Sequence, residues 1–416
     1  MSKAAPEGRK RKVDTPTHKV EDVVIVGDFA DITGGQAKVA IDSARLLADA
    51  GIRVTFFAAC GPVSPLLDHP RIEVVCLNQL TILDDPDRLR AMRRGLWNGP
   101  ALSALRKTIE AKDPERCVLH CHGYAKALSP AIGRTLARGP LRSVFTMHEY
   151  FLACPNGGFF NYPRNEICTL RPLGPACLST NCDSRRAVHK AWRVARGFVA
   201  RGPGLLPGGL KDVIYISETQ RRAMAPYLPS SARLHHVSNP VEPGGPHVDV
   251  DANKLLVFVG RLAPEKGGLH LAQAARRLGL PVLFVGDGPE AEAILAANPD
   301  AEITGWVRPE EVQLHLSQAR ALVFPSLWYE GQPLVPIEAL LRGIPVVCGM
   351  WSAAAETVRD GEDGLIYQKP SVDDLAAALK LLPTLGAFDS GALAEEVSPQ
   401  AHLRNLLAIY DEMLTR

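Results

Sequence analysis

The stretch of sequence that decides the fold runs from Phe324 to Gly361 and reads FPSLWYEGQPLVPIEALLRGIPVVCGMWSAAAETVRDG. The apolar run Ala321–Phe324 predicts a buried strand, and the loop after it carries Glu330. Apolar residues then recur at helical spacing, which predicts a helix that begins near Pro333 or Pro336. The alternation of strand, loop and helix predicts an α/β fold.

Two carboxylates lie on either side of this predicted helix start. Glu330 belongs to the loop, and Glu338 is expected in the first turn of the helix. Both should face the crevice beyond the carboxyl end of the strand, where open α/β sheets bind ligands. The free amides of the helix start favour an anion such as a phosphate. The pattern therefore predicts a nucleotide-sugar site, although the spacing alone also fits a solvated loop acid followed by an ordinary helix N-terminal acid.

Length and composition describe a globular chain. The 416 residues are enough for two domains, and 46% apolar and 22% charged residues are ordinary values. A net charge of +2 does not favour nucleic acid as a partner. The N-terminus lacks an apolar signal segment, and the nine cysteines are an odd number. We therefore expect a cytoplasmic protein with reduced thiols.

The first half begins with a strand, a glycine-containing loop and a helix. An apolar strand at Val23–Val26 leads to Gly34 and Gly35, and a helix follows. The glycines allow a ligand to approach the backbone at the helix start, or they serve a plain turn. The spacing G-x-G-x-x-G is absent, so a nicotinamide cofactor is not indicated. Another predicted strand ends at His148, which should point into the same crevice.

Four of the nine cysteines fall in one irregular stretch rich in Pro, Gly and Asn. A closed site of four thiolates would hold such a stretch without a hydrophobic core, but only the last spacing approaches that of zinc ligands. A structural zinc and free thiols both remain open, and a disulfide is less expected in this compartment. The candidate ligands are Cys154, Cys168, Cys177 and Cys182.

Two basic segments raise the question of an anionic membrane surface. Residues 1–20 form a basic tail that we predict to be disordered. Between Ser184 and Val199, arginines and a lysine alternate with apolar residues at helical spacing. Such a helix can lie on anionic lipid, or it is an ordinary surface helix packed through its apolar stripe.

The chain divides into two halves of similar organisation. We predict an N-terminal domain over 21–241, a second domain over 242–399, and a C-terminal helix over 400–416 that packs back on the first domain. Arg261 and Lys266 lie on the loop after the first strand of the second domain. They are expected to meet Glu330 and Glu338 in one cavity, where cations would stabilise a departing diphosphate.

The motifs of both halves resemble those of family 4 retaining glycosyltransferases. In the second half the resemblance is carried, in order, by GRLAPEKG, LFVGDGPE, ITGWV, the opening stretch and DGEDGLIY. In the first half it is carried by GGQAKVAIDSARLLADAG, VFTMHEY and VSNPV. The resemblance implies the GT-B fold, in which two Rossmann-like domains with parallel sheets face a central cleft.

The resemblance also implies roles for individual residues. Arg261 and Lys266 would bind the donor diphosphate, Glu330 the hydroxyls of the transferred sugar, and Glu338 the ribose. The remaining donor-site candidates that it implies are His148, beside the donor sugar, and Gly34 and Gly35, lining the gap between donor and acceptor.

One departure from the family pattern affects the phosphate contacts. The family's loop reads Glu-Gly-Phe-Gly, whereas Gly331, Gln332 and Pro333 follow Glu330 here. Proline has no amide hydrogen, so one phosphate donor is missing. Gly331 and the amides of Leu334 and Val335 remain candidates.

The resemblance implies a hexosyltransferase that moves sugar from a UDP or GDP sugar to a hydroxyl acceptor, without a catalytic metal and with retention of configuration. The expected setting is polysaccharide or glycolipid synthesis, with a carbohydrate or lipid-linked acceptor, in the cytoplasm or peripherally on the inner membrane face. An inactive glycosyltransferase-like scaffold and a dinucleotide-dependent oxidoreductase are the alternatives.

Overall fold

The computed structural model describes residues 18–416 and contains two parallel sheets, one in each half of the chain. The first has seven strands and the second has six. Helices cover both sheets. The predicted α/β fold with two facing parallel-sheet domains is therefore confirmed.

From residue 18 onward, the first half contains nine strands, of which a short antiparallel pair stands outside the main sheet. The strands are β1 (Asp22–Phe29), β2 (Arg53–Cys60), β3 (Ile72–Cys76), β4 (Cys117–Cys121), β5 (Arg142–Thr146), β6 (Phe160–Asn161), β7 (Glu166–Ile167), β8 (Asp212–Tyr215) and β9 (Arg233–His236). The main sheet has the order β3-β2-β1-β4-β5-β8-β9, and all of its neighbours are parallel. Since β4 follows β3 but pairs with β1, the order reverses beside β1, which is where open α/β sheets bind ligands.

Seven α-helices belong to the described residues of this half. They are α1 (Gly35–Asp49), α2 (Arg88–Leu96), α3 (Gly99–Glu110), α4 (Gly133–Arg138), α5 (Pro175–Ser179), α6 (Ala187–Arg201) and α7 (Glu218–Met224). Helix α1 begins at the predicted glycine loop and packs its apolar face on β1 and β2. Its start therefore lies at the carboxyl end of β1.

The second half repeats this organisation with a smaller sheet. Its strands are β10 (Leu255–Val259), β11 (Val282–Val285), β12 (Glu302–Ile303), β13 (Ala319–Phe324), β14 (Val346–Gly349) and β15 (Gly364–Tyr367), in the order β12-β11-β10-β13-β14-β15. Its helices are α8 (Gly268–Leu278), α9 (Ala291–Ala297), α10 (Pro309–Leu316), α11 (Leu334–Leu341), α12 (Val372–Lys380) and α13 (Gly391–Glu396). The order reverses between β10 and β13, so the loops after these two strands meet.

The last helix, α14 (Pro399–Thr415), returns to the first half. Leu406, Tyr410 and Met413 are buried in the same cluster as strand β1. The hydroxyl of Tyr410 lies 2.6 Å from Nδ1 of His120 on β4. Helix α14 thus completes the hydrophobic core of the N-terminal domain.

The N-terminal end of the described chain is tied to this helix. The amides of Lys19 and Val20 donate to Asp411, and Nδ1 of His18 lies 2.8 Å from the same carboxylate. Val20 is buried. The predicted disordered tail is therefore wrong for residues 18–20, and for residues 1–17 the prediction lies outside the described residues.

Within residues 18–416, no helix is both long enough and apolar enough to cross a bilayer.

Candidate active site

A cavity of about 360 Å³ lies between the carboxyl ends of the two sheets. Both halves contribute to its wall. The first half supplies the glycine loop with Gly34 and Gly35, and the histidine His148, while the second supplies Glu330 and Leu334. The predicted crevice is therefore present, and it brings together residues more than 100 positions apart in sequence.

Glu330 is the best-defined charged group of this cavity. Its Oε1 accepts three hydrogen bonds, from Lys266 Nζ at 2.7 Å, Trp328 Nε1 at 2.7 Å and Ser326 Oγ at 2.8 Å. Among residues 18–416, no protein donor is placed on the other oxygen, Oε2. Burial acts to raise the pKa of Glu330, but the charge of Lys266 and the three hydrogen bonds outweigh it, so the pKa lies below its ordinary value. The carboxylate is thus ionised and has one oxygen available to accept hydrogen bonds from ligand hydroxyls.

Lys266 and Arg261 occupy the same loop but are turned differently. Lys266 is bound to Glu330, whereas Arg261 is paired with Glu265, whose side chain is almost completely buried. The Arg261 side chain is 61% exposed, and in the described structure neither Arg261 nor Lys266 lines the cavity. The expectation that both cations meet the two acids in one cavity is therefore wrong in this arrangement, although Lys266 contacts the carboxylate of Glu330, which does line the cavity.

Glu338 lies in an adjoining cavity of about 900 Å³. Helix α11 begins at Leu334, with Pro333 as the extended residue before it, so Glu338 is the fifth helical residue and not part of the first turn. Its Oε2 accepts from Gln313 at 3.1 Å, and burial raises its pKa. The expectation of a common cavity for Glu330 and Glu338 is wrong, but Leu334 lines both cavities, which makes them neighbours.

The start of helix α11 faces the first cavity. Gly331 lies so close to the first half that a Cβ there would stand 3.0 Å from the Ile216 side chain. A Cβ at Gly35 would lie 3.9 Å from Leu334 across the gap. The side chain of Val335 packs into the second domain. The backbone amides of Leu334 and Val335 belong to the first turn of α11, where amides have no hydrogen-bond partner within the helix. The glycines thus allow the two halves to approach closely around the cavity.

His148 is buried and paired with a second histidine. Its Nε2 lies 3.0 Å from Nδ1 of His122, and both residues line the cavity. Burial lowers the pKa of His148 to about 3 and that of His122 well below its ordinary value. Both rings are therefore neutral near pH 7, so they can offer a ligand hydrogen bonds but no positive charge.

The four clustered cysteines do not form a ligand set in the described part of the chain. No group of three or more His, Cys, Asp or Glu side chains within residues 18–416 is arranged to hold a metal ion. Instead, the ammonium of Lys190 lies 3.1 Å from Sγ of Cys182 and 3.5 Å from Sγ of Cys177. Cys154 is buried and Cys168 is half-buried. A cation stands between two of the sulfurs, so this arrangement does not fit zinc, and the four residues are present as free thiols.

Two contributors to the site were not predicted. Trp328 and Ser326 each hold Oε1 of Glu330, and Trp328 also lines the cavity. They lie two and four residues before Glu330, on the loop that the sequence had already marked. The sequence signal that could have identified them is a side chain with a hydrogen-bond donor a few residues before an acid on the same loop.

Family comparisons agree with this architecture. The model described as Glycosyltransferase Family 4 matches residues 33–244, just over half of the chain, and the model described as Glycosyl transferases group 1 matches residues 253–383. The chain belongs to glycosyltransferase family 4. This membership removes the oxidoreductase alternative.

Individual relatives are more distant. The chain is 28% identical over 241 residues to a GDP-mannose-dependent alpha-(1-6)-phosphatidylinositol monomannoside mannosyltransferase of Mycolicibacterium smegmatis, covering 50% of this chain and 63% of the relative. It is 32% identical over 115 residues to a GDP-mannose-dependent alpha-mannosyltransferase of Corynebacterium glutamicum, covering 28% of each chain. The matches thus span less than two thirds of the length of these curated relatives.

Solved structures share the fold over nearly the whole chain. The sucrose-phosphate synthase of Thermosynechococcus elongatus superposes with a TM-score of 0.64 at 17% identity, covering 95% of this chain and 96% of that one. HepE of Anabaena in complex with UDP-glucose gives 0.58 at 15% identity, covering 95% and 98%. At these identities the likeness shows the fold alone.

Proposed function

We propose that the protein is a retaining hexosyltransferase that moves a sugar from a nucleoside diphosphate sugar to a hydroxyl acceptor. The observation that carries the proposal is the carboxylate of Glu330 on the wall of the cleft, which Lys266 holds in an ion pair and whose Oε2 is left to accept hydrogen bonds. An inactive scaffold has no need of an ionised carboxylate held by three donors beside a cavity.

The bound donor would span the two adjoining cavities. Its sugar would lie by Glu330 and His148, its diphosphate at the amides of Leu334 and Val335, and its ribose near Glu338. Leu334, which lines both cavities, would stand beside the diphosphate. Arg261 would leave Glu265 to reach the phosphates as the two halves close around the donor.

The reaction that we propose is the one that the family resemblance implies. The acceptor oxygen forms a bond to the anomeric carbon on the face that the diphosphate leaves, while the bond from that carbon to the diphosphate oxygen breaks. The hydroxyl proton passes to the departing phosphate. The positive charge of Lys266 stabilises the charge that grows on the leaving group, and Glu330 holds the sugar through its hydroxyls. No metal ion takes part.

We further propose an acceptor that is a carbohydrate or is linked to lipid, in cell-surface polysaccharide or glycolipid synthesis. The name of the Mycolicibacterium relative describes a phosphatidylinositol glycolipid as its acceptor, which supports this class. The proposal places the enzyme at the inner face of the membrane as a peripheral protein, with an anionic lipid surface as its partner.

Calorimetric titration with UDP and GDP tests the donor site. We expect saturable binding of one of the two, weakened by Lys266→Ala or Arg261→Ala about tenfold to a hundredfold, as for loss of one charge-assisted contact. Arg276→Ala, which removes an exposed ion pair with Asp300, is the matched control and should bind as the wild type does. Failure of every nucleoside diphosphate to bind would refute the proposal. Release of free nucleotide only when donor and acceptor are both present separates the enzyme from an inactive scaffold.

A further inference from the structure

One outer surface of the first half is unusually apolar. It is formed by residues 80–96, which include helix α2, and by helix α6, and we refer to it as the α2–α6 face. Of the fifteen large hydrophobic side chains that are exposed among residues 18–416, six belong to this face. They are Leu80, Leu83, Leu89, Met92, Val188 and Phe198.

Helix α6 turns an apolar stripe toward solvent, whereas a surface helix usually turns its polar face outward. Its outward stripe, at spacings of three and four residues, is apolar and consists of Val188, Ala191, Ala195 and Phe198. Val188 and Phe198 are 64% and 52% exposed. An amphipathic helix of a globular protein normally packs such a stripe on the core. Of the two alternatives left open for this helix, packing through its apolar residues holds only in part, since Trp192 and Val199 are half-buried while Val188 and Ala195 are exposed.

Two cations of α6 point inward and have specific partners. Lys190 and Arg196 are buried, and the ammonium of Lys190 contacts the sulfurs of Cys177 and Cys182. The guanidinium of Arg196 donates to the carbonyl of Ala125 at 2.8 Å and stacks on an aromatic ring. These contacts fix the rotation of the helix, so the apolar stripe is held at the surface by the fold.

Helices α2 and α6 form one continuous face. The indole nitrogen of Trp192 donates to the carbonyl of Met92 at 3.3 Å, and a Cβ at Gly95 would lie 2.6 Å from the Trp192 ring. Arg88 donates to the carbonyls of Ile82 and Leu83, which attaches the segment before α2 to the helix. The exposed apolar side chains are therefore supported by a rigid base.

The rim of this face is cationic in balance. Arg88, Arg90 and Arg93 on α2, and Arg185 and Arg186 before α6, are all exposed, and they outnumber the exposed acids of the face, Asp84 and Asp87. No acidic residue occurs between Ser184 and Lys211. Apolar side chains surrounded by arginines match the interface of a bilayer that contains anionic lipid, where the side chains enter the headgroup region and the guanidinium groups meet phosphates.

We propose that the α2–α6 face is the surface by which the protein docks on an anionic membrane. This inference rests on the proposed function, which places the enzyme at a membrane, and it identifies the residues that make the contact. The face is joined to the active site, since Arg196 of α6 holds Ala125, and the next residue, Lys126, lines the cavity. Docking through this face would bring the cavity wall close to acceptors in the bilayer.

Sedimentation with lipid vesicles tests the proposal. The wild-type protein should bind vesicles of phosphatidylcholine and phosphatidylglycerol in equal parts, and bind pure phosphatidylcholine vesicles weakly. Leu89→Glu/Phe198→Glu should weaken binding to the anionic vesicles at least about tenfold, because two side chains lose their contact with the interface. The control Leu295→Glu/Leu381→Glu adds the same charge at two exposed apolar sites of the second half and should bind as the wild type does. Both sites in each variant are exposed, so folding should persist, as near-wild-type thermal unfolding would verify.

Three results would overturn the proposal. The first is equal vesicle binding by the wild type and by Leu89→Glu/Phe198→Glu, and the second is no vesicle binding by the wild type. The third is a wild-type dimer in light scattering that the variant no longer forms, which would assign the face to a second copy of the chain. Calorimetric titration of the same variant with UDP or GDP measures the donor site independently of vesicle binding. If nucleotide binding fails in every protein while vesicle binding follows the predicted pattern, the proposed function fails and the docking surface stands.

Discussion

The ion pair of Lys266 and Glu330 allows the cost of a substitution to be worked out from the structure. Nζ lies 2.7 Å from Oε1, and the side chains are 22% and 13% exposed. Lys266→Met keeps most of the side-chain length but leaves a largely buried carboxylate without its cation. Breaking a buried pair from one side costs about 3–5 kcal/mol, and we expect about 3 kcal/mol because both side chains retain some contact with solvent.

Thermal unfolding provides the measurement. A loss of about 3 kcal/mol corresponds to a fall in Tm of about 6–12 °C for a domain of this size. The double variant Lys266→Met/Glu330→Gln should lose only about 1–2 kcal/mol, since its neutral amide oxygen still accepts from Trp328 and Ser326. Lys380→Met, at an exposed helix end, is the control and should change stability by less than about 0.5 kcal/mol.

The effect of Lys266→Met should depend on pH in a defined direction. The pKa of Glu330 is lowered in the folded protein, so its ionisation stabilises the fold above the unfolded pKa, and this stability is lost as pH falls through the folded pKa. Without Lys266, the effect of burial is no longer opposed by that charge, and ionisation of Glu330 favours folding less. The fall in Tm should therefore be larger at pH 7 than near pH 4.

Two outcomes would refute this reasoning. If the double variant lost as much stability as Lys266→Met, the cost would not come from an uncompensated carboxylate. If Lys266→Met lowered Tm equally at both pH values, the carboxylate would not be coupled to the lysine, and the electrostatic description of the site would be wrong.

Three further predictions concern other parts of the molecule. Burial lowers the pKa of His148 to about 3, so this residue should not titrate between about pH 5 and 8. The pH profiles of kcat/KM for the wild type and His148→Gln should therefore be parallel in that range. A wild-type inflection near pH 6.5 that the variant lacks would contradict this prediction. Tyr410→Phe removes a buried hydroxyl bonded to His120 and should cost about 1–3 kcal/mol in thermal unfolding; an unchanged Tm would show that α14 does not depend on this bond. Native alkylation should modify Cys168 before the other three clustered cysteines, which are buried, and mass spectrometry of peptides would reveal a different order.

Much of the second domain could be predicted because its elements are specified locally. The predicted strand Ala321–Phe324 lies within β13, and the predicted start of the following helix, near Pro333 or Pro336, agrees with α11 at Leu334. Apolar runs of parallel strands and a proline beside a helix start are short-range features. They do not depend on distant parts of the chain.

Edge elements were harder to predict. Strand β9 reads Arg-Leu-His-His and has no buried residue, because it pairs on one side only, at the end of the sheet. The short pair β6 and β7 has two residues in each strand. Such segments carry no hydrophobic period, and their structure is determined by the neighbours against which they pair.

The sequence indicated several residues that line the cavity, but it did not indicate how the charged side chains around it are paired. Lys266 and Arg261 are five positions apart on one loop, and only the structure shows that Lys266 pairs with Glu330 and Arg261 with Glu265, and that neither cation lines the cavity. The inverted orientation of α6 was not foreseen either, since it depends on sulfur and carbonyl partners outside the helix. Sequence periodicity gives the two faces of a helix, and tertiary contacts decide which face is turned inward.

The return of α14 to the first domain has a consequence for biosynthesis. The ribosome synthesises helix α14 only after the whole second domain, and this helix carries the side chains that close the core around β1. Until then, that sheet has an uncovered apolar surface, although all of its own strands have emerged. The first domain therefore matures after the second has been synthesised, and a nascent chain stalled before Pro399 would present this surface to chaperones.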